Sequence, residues 1–118
     1  MARGDFIPGR KDIVWLDFEP TKGKEIGNYR PALVLSSREY NRKTGLPICC
    51  PISTSIRGGT TEVPVSRMEK PSVVAASLVQ TLAWKERKVK KIVTARQSQF
   101  EETLSKLLPL IGANELAE

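Results

Sequence analysis

Residues 12–36 read DIVWLDFEPTKGKEIGNYRPALVLS. A short apolar stretch stands at each end, DIVWLDF (12–18) and ALVLS (32–36). Both are rich in β-branched and aromatic residues and bounded by Pro and Gly, the composition of strands. In the first, Ile13 and Trp15 point one way and Val14, Leu16 and Phe18 the other. Both sets are apolar, so the stretch reads as a central strand, with Trp15 in the core and Asp17 near its end. The connection Glu19–Pro31 exceeds the roughly two to five residues of a plain hairpin. It carries Lys22, Lys24, Glu25, Tyr29 and Arg30, and connections this long are usually functional. Its middle, Thr21–Asn28, is expected to be mobile until a ligand binds. Arg30 precedes Pro31, and a residue before proline is held extended, so its side chain leaves a defined backbone.

Working outward, SREYNRKTG (37–45) is polar, with Asn41 and Gly45 as turn residues and room for one helical turn. LPICCPIS (46–53) reads as a third strand, and its two prolines predict an edge or a bulge. Gly58-Gly59 predicts a hairpin turn, with TEVPVS (61–66) as the returning strand. VVAASLVQTLAW (73–84) has strand composition interrupted at Ser77, and Val89, Ile92 and Val93 mark a last strand. Thr94 with Gln97 resembles a capping box. The helix it opens carries Phe100, Leu104, Leu107, Leu108 and Ile111 on one face. Pro109 shortens its last turn and Gly112 stops it, leaving 113–118 frayed. The order predicts one mainly β domain over 1–118, a small bent barrel or half-open sheet covered by a C-terminal helix.

Composition bounds the chemistry. The 118 residues are 40% hydrophobic, with no apolar run of the roughly 20 residues that span a bilayer. MARGDFIPGRK at the N-terminus is no secretory leader, which predicts a cytoplasmic protein without membrane contact. Nineteen Lys and Arg against thirteen Asp and Glu give a net charge of +6. That excess suits a polyanion such as nucleic acid, or simply solubility. The chain has no histidine, which removes Ser-His and Cys-His nucleophile pairs and the commonest general base. Cys49 and Cys50 are adjacent, too strained a spacing for a bridge between them. No CxxC spacing suggests zinc, so they read as small apolar strand residues.

The strings DIVWLDFEPTKGKEIGNYRPALVLS, YNRKTG, CPIS and LAW, and a terminal helix ending LIG, closely resemble the MazF/PemK toxins of type II toxin–antitoxin modules, over residues 9–112. The resemblance implies a cytoplasmic homodimer of SH3-like barrels, a fold shared with the CcdB gyrase toxins. It also implies ribosome-independent cleavage of single-stranded RNA, mRNA included, without metal or other cofactor. In that chemistry the 2′-OH attacks the phosphodiester, leaving a 2′,3′-cyclic phosphate and a 5′-OH. The implied partners are the RNA and a MazE-like antitoxin, whose acidic tail blocks the RNA groove and with which the toxin binds DNA. By position, Arg30 matches the family's catalytic Arg in the R-P motif. Ser53 stands where the family has a catalytic Thr, and Glu25 matches the acidic residue of the long loop. Lys11 stands where a Gly usually opens the first strand. Ser77-Leu78 stand where an Asp-Gln pair is common, which bears on sequence preference and dimer contacts.

Such a cleavage needs a base for the 2′ proton, donors for the phosphorane charge and an acid for the 5′ oxygen. Of the three, stabilising the phosphorane usually lowers the barrier most. Arg30 suits that role, because its planar fork holds two phosphate oxygens. It is a poor base, with a pKa above about 12. Glu25 is then the best-placed base, and Ser53 or Thr54 a donor to phosphate. The competing readings are a solvated surface arginine for Arg30, a salt bridge to a neighbouring lysine for Glu25, and a backbone-bonding strand-end hydroxyl for Ser53. Candidate RNA contacts are Lys22, Lys24, Tyr29, Thr54, Arg57 and, in the basic run of Lys85, Arg87, Lys88, Lys90 and Lys91, above all Arg87. Trp15 and Trp84 read as tryptophans half-buried under a sheet, with Trp15 in the core, rather than as stacking platforms. A gyrase-poisoning toxin of the CcdB kind and a non-enzymatic SH3-like binding module remain as readings from other classes.

Overall fold

The two apolar stretches of 12–36 form the first antiparallel pair. In the computed structural model, which describes residues 6–18, 29–84 and 89–117, β1 (Asp12–Asp17) runs against β2 (Tyr29–Val34), with Ile13 opposite Leu33 and Leu16 opposite Arg30. The strand therefore starts three residues before Ala32, and Arg30 and Pro31 lie in it rather than in the connection. The extended backbone imposed ahead of proline is already a strand backbone. After β2 come α1 (Arg38–Thr44), β3 (Ile48–Ser53), β4 (Glu62–Val65), β5 (Ser72–Ala75) and a 3₁₀ turn (Ala76–Leu78). The chain continues through β6 (Gln80–Thr81), β7 (Lys90–Thr94) and α2 (Gln97–Leu107).

The sheet runs β4-β5-β3-β2-β1-β7, with β6 also on β3. This is the expected mainly β, half-barrel architecture with a C-terminal helix. β1 is central and apolar on both faces. Ile13, Leu33, Cys50, Ile52, Val63 and Val74 face a core closed by Phe100 and Leu107 of α2. Val14, Leu16, Phe18, Ala32, Val34 and Cys49 face a second cluster with Leu82 and Trp84. Period-two alternation thus divides one strand pair between two cores.

β3 is not the edge its prolines suggest. It pairs β2 on one side, and β6 (Cys49 opposite Gln80) and then β5 (Ile52 opposite Val74) on the other. Leu35 N–H donates to Ile48 O at 2.8 Å, so bonded pairs alternate from there and Ala32–Pro51 is a non-bonded pair. The Pro51 nitrogen therefore faces away from β2, into the break between β6 and β5, where no ladder bond is lost. Gly58-Gly59 does not close a hairpin either: β4 pairs β5, and β5 lies between β4 and β3. The glycine signal marks a turn, with Gly58 at φ 76°, inside the longer connection 54–61.

Asn41, expected as a turn residue, is fully buried. Its Nδ2 donates to Pro8 O (2.7 Å) and Ser36 O (3.2 Å), and its Oδ1 accepts from Ser36 Oγ. Its carbonyl accepts from Trp84 Nε1 at 3.2 Å. Side chain and carbonyl of this one residue so tie the N-terminal segment, α1 and the buried Trp84. Asp12, also buried, accepts from Gly9 N–H at 2.9 Å and pairs with Arg38 (3.3 Å) and Lys91 (3.4 Å).

The last helix begins two residues later than the Thr94–Gln97 signal. Thr94 ends β7, and Gln99 Oε1 accepts from Arg96 N–H at the true start. Pro109 ends α2 at Leu107 and forces a 3₁₀ segment, Leu108–Ile111, closed by Gly112 at φ 77°. The tighter turn rotates the expected apolar face, so Leu108 and Ile111 are exposed while Phe100 and Leu107 stay buried. Residues 113–117, expected to be frayed, continue as a further 3₁₀ segment.

Candidate functional site

Pro31 shapes the end of β2. Continuing the alternation from Leu35–Ile48 makes Pro31–Ile52 the next bonded pair, and Pro31 has no N–H to give it. The β2–β3 pairing stops at Ala32–Pro51, and β3 turns to β5 through Ile52 and Ser53. Counted along the same register, Ser53 falls across from Arg30 at this open rim. Each is held by its other neighbour, Arg30 opposite Leu16 of β1 and Ser53 opposite Val73 of β5.

Arg30 is half-buried, on the face of Leu16, Ala32 and Val34. Desolvation by burial lowers its pKa from the ordinary arginine value, yet an arginine stays cationic in any accessible pH range. A half-buried cation whose backbone is fixed in a strand has lost part of its side-chain freedom, a chemistry suited to holding an anion. Ser53 Oγ accepts from Ser55 N–H at 2.9 Å, so the hydroxyl does bond the backbone. That bond uses an oxygen lone pair and leaves the O–H hydrogen available for donation.

Beyond Ser53 the chain turns away with Thr54 and Arg57 exposed. The connection is held by Glu62, a residue that sequence reasoning passed over. Its carboxylate accepts from Arg57 N–H (3.1 Å to each oxygen) and Gly58 N–H (2.8 Å). Two successive amides on one carboxylate fix the loop that presents the Arg57 side chain.

On the opposite face of the same rim lies an aromatic pair. Trp15 and Tyr29 stack with ring centroids 5.3 Å apart and planes 18° from parallel. Trp15 is only half-buried and Tyr29 is 45% exposed, so Trp15 does not belong to the core. It shares a face with Ile13 but lies farther along β1, beyond the buried cluster under α2. Next to the pair opens a cavity of about 400 Å³ bordered by Trp15, Pro31, Thr54, Met68, Ser72 and Ile92.

By register, Arg30 and Ser53 fall on one face of the rim where β2 and β3 part, with Tyr29, Trp15 and Thr54 on the other. Glu25, Lys22, Lys24 and Arg87, with Lys85 and Lys88, lie outside the described residues. Of the remaining basic run, Lys91 is engaged with Asp12 and Lys90 is exposed on β7. Among the described residues no group of three His, Cys, Asp or Glu could hold a metal ion. No helix among them is long and apolar enough to cross a membrane.

The sequence profile of PemK-like, MazF-like toxins of type II toxin–antitoxin systems matches residues 9–111. The chain belongs to this toxin family. It is 38% identical over 107 residues to the endoribonuclease toxin MazF of Escherichia coli K12, covering 91% of this chain and 96% of that one. The fold superposes on a crystal structure of MazF from Deinococcus radiodurans with a TM-score of 0.88 at 36% identity, over 92% and 99% of the two chains. It also superposes on a MazE–MazF crystal structure from the same organism, with a TM-score of 0.80 at 32% identity over 92% and 98%.

Proposed function

We propose that this PemK/MazF-family chain is an endoribonuclease toxin that cleaves single-stranded RNA, mRNA included, at short sequence motifs. Its relatives are named for RNA cleavage, which favours RNA over gyrase as the target. The observation that carries the reading to named residues is the rim where β2 and β3 part at Pro31, with half-buried Arg30 on β2 and Ser53 at the end of β3 on the same face.

In this reading Arg30 binds two oxygens of the scissile phosphate and stabilises the phosphorane, whose extra charge makes that contact stronger in the transition state than in the ground state. Ser53 donates its O–H to a phosphate oxygen. Glu25 takes the 2′-OH proton, and the chain breaks to a 2′,3′-cyclic phosphate and a 5′-OH. Lys22, Lys24, Tyr29, Thr54, Arg57 and Arg87 hold the flanking RNA, consistent with the net charge of +6. The protein acts in the cytoplasm as a homodimer. The antitoxin complexes of its relatives support a MazE-like partner, whose acidic segment would compete with RNA for the same cations.

The test is incubation of the purified protein with single-stranded RNA in EDTA and mapping of the product ends. The expected result is cleavage at one short motif with cyclic-phosphate ends, abolished in Arg30→Ala and strongly reduced in Glu25→Gln. RNA left intact by the wild type refutes the activity. Nearly full cleavage by Glu25→Gln refutes Glu25 as the base and leaves Arg30 in place.

A further inference from the structure

The cavity beside the Trp15–Tyr29 pair faces away from Arg30, yet it is built from that residue's neighbours. Pro31 follows Arg30 and Thr54 follows Ser53, and both line it. Pro31, next to Arg30 in β2, points to the opposite face, so a chain crossing the rim with its phosphate at Arg30 and Ser53 can turn an adjoining base into this cavity. Resting on the endoribonuclease reading, we propose that the cavity is a specificity pocket for one nucleobase next to the scissile phosphate, selecting bases that carry an exocyclic amino group.

The lining supports a base rather than a phosphate. Pro31, Met68, Ile92 and Trp15 give largely apolar walls, and Trp15 is an aromatic residue of the kind on which bases stack. The polar groups are acceptor-rich. Ser72 is buried, and its hydroxyl donates to Lys70 O at 2.8 Å, so what it offers the cavity is lone pairs. Glu69 adds a carboxylate, which accepts only and repels a phosphate. Adenine, cytosine and guanine present amino donors to such an edge, whereas the matching group of a uracil-type base is a carbonyl acceptor. Lys70, exposed at the same cavity, is placed for the phosphate of the bound nucleotide.

The experiment is cleavage of a random-sequence RNA pool by wild type, Glu69→Gln and Ser72→Ala, with sequencing of the product ends. The wild type should prefer amino-bearing bases at one position beside the cut. Glu69→Gln, an exposed substitution that replaces an acceptor by a donor-bearing amide, should lose about tenfold of that preference and gain cleavage at uracil there, with other motif positions unchanged. Ser72→Ala should weaken the same position alone. Cleavage by all three proteins at an identical motif overturns the pocket while leaving the nuclease standing. Absence of cleavage by the wild type overturns the activity on which the pocket rests.

Discussion

Lys11 is the sharpest place to test how this chain enters its sheet. It precedes β1 with φ 77°, in the left-handed region where a side chain crowds its own carbonyl by roughly 1–2 kcal/mol. The conformation is imposed from three directions. Lys11 N–H donates to Val34 O at 2.9 Å, Lys11 O accepts from Ala95 N–H at 2.8 Å, and Asp12 N–H returns to Gly9 O at 3.0 Å. These bonds join β1 to the end of β2 and to the entry of α2, so the residue cannot relax without undoing the corner. Its ammonium donates to Gln97 Oε1 at 2.9 Å, an exposed contact worth at most several tenths of a kcal/mol.

Two variants separate the strain from the contact. Lys11→Ala removes the side-chain contact and keeps the strain. Lys11→Gly removes both, at the expense of roughly 0.5–1 kcal/mol of added unfolded-state freedom. Elsewhere in extended structure Gly is less stable than Ala by that amount, whereas here relief of the left-handed penalty should reverse the order. The Gly variant is expected to exceed the Ala variant by about 0.5–1 kcal/mol, or about 2–5 °C in Tm for a chain of this length. Urea titrations of the three proteins at one concentration, fitted with a common m-value, measure the difference. An Ala variant as stable as the Gly variant, or more so, would show that the corner carries no strain.

Three further outcomes follow from the same geometry. Arg30→Lys keeps the charge but loses the planar fork, so single-turnover cleavage should fall roughly 100-fold; a loss of only a few-fold would mean that charge alone suffices. Asn41→Ala strands Pro8 O, Ser36 O and the Ser36 hydroxyl in the interior, and denaturation should show a loss of roughly 2–4 kcal/mol, against no change if the site opens to water. Burial pushes the Cys50 thiol up to about 12, whereas an unfolded thiol titrates near about 8.5. Below the lower value both states hold the proton and the contribution is complete. Above it the unfolded chain ionises first, and stability falls by up to about 1.4 kcal/mol per pH unit. Cys50→Ala should therefore decline less steeply than wild type between about pH 9 and about pH 11, and parallel curves would contradict this.

Strands and faces were legible because alternation is local. Ile13 and Leu16 announce opposite sides of β1 from sequence alone, and Arg30 ahead of Pro31 announces an extended backbone. What escaped depends on distant partners. Alternation names the face of Trp15 but not how far along β1 the cover of α2 extends, so a tryptophan beyond that cover reads as core. Asn41 looks like a turn residue until Pro8, Ser36 and Trp84 supply its partners across the fold. Gly58-Gly59 signals a turn, but whether β4 pairs β3 depends on β5, which comes later in the chain and takes the place between them. Glu62 escaped for the same reason, since a carboxylate that collects backbone N–H groups looks in sequence like any strand-edge charge.

Pro31 shows how one residue can set both the fold and the site. Ahead of it the backbone is extended, which brings Arg30 into register with Leu16 and half-buries its stem. At its own position the missing N–H ends the ladder between β2 and β3, and β3 is released to pair β5. A strand pair that continued regularly would close over the space between Arg30 and Ser53, and a strand pair that ended sooner would leave both on mobile chain. The proline places the break where two side chains keep strand-fixed positions but no longer have a continuous ladder between them. The same break frees the opposite face, where Pro31 itself borders the cavity beside Trp15. The proposed phosphate site and the proposed base pocket would then lie on two faces of one rim, one residue apart in sequence, so substitutions on one face test one proposal apart from the other.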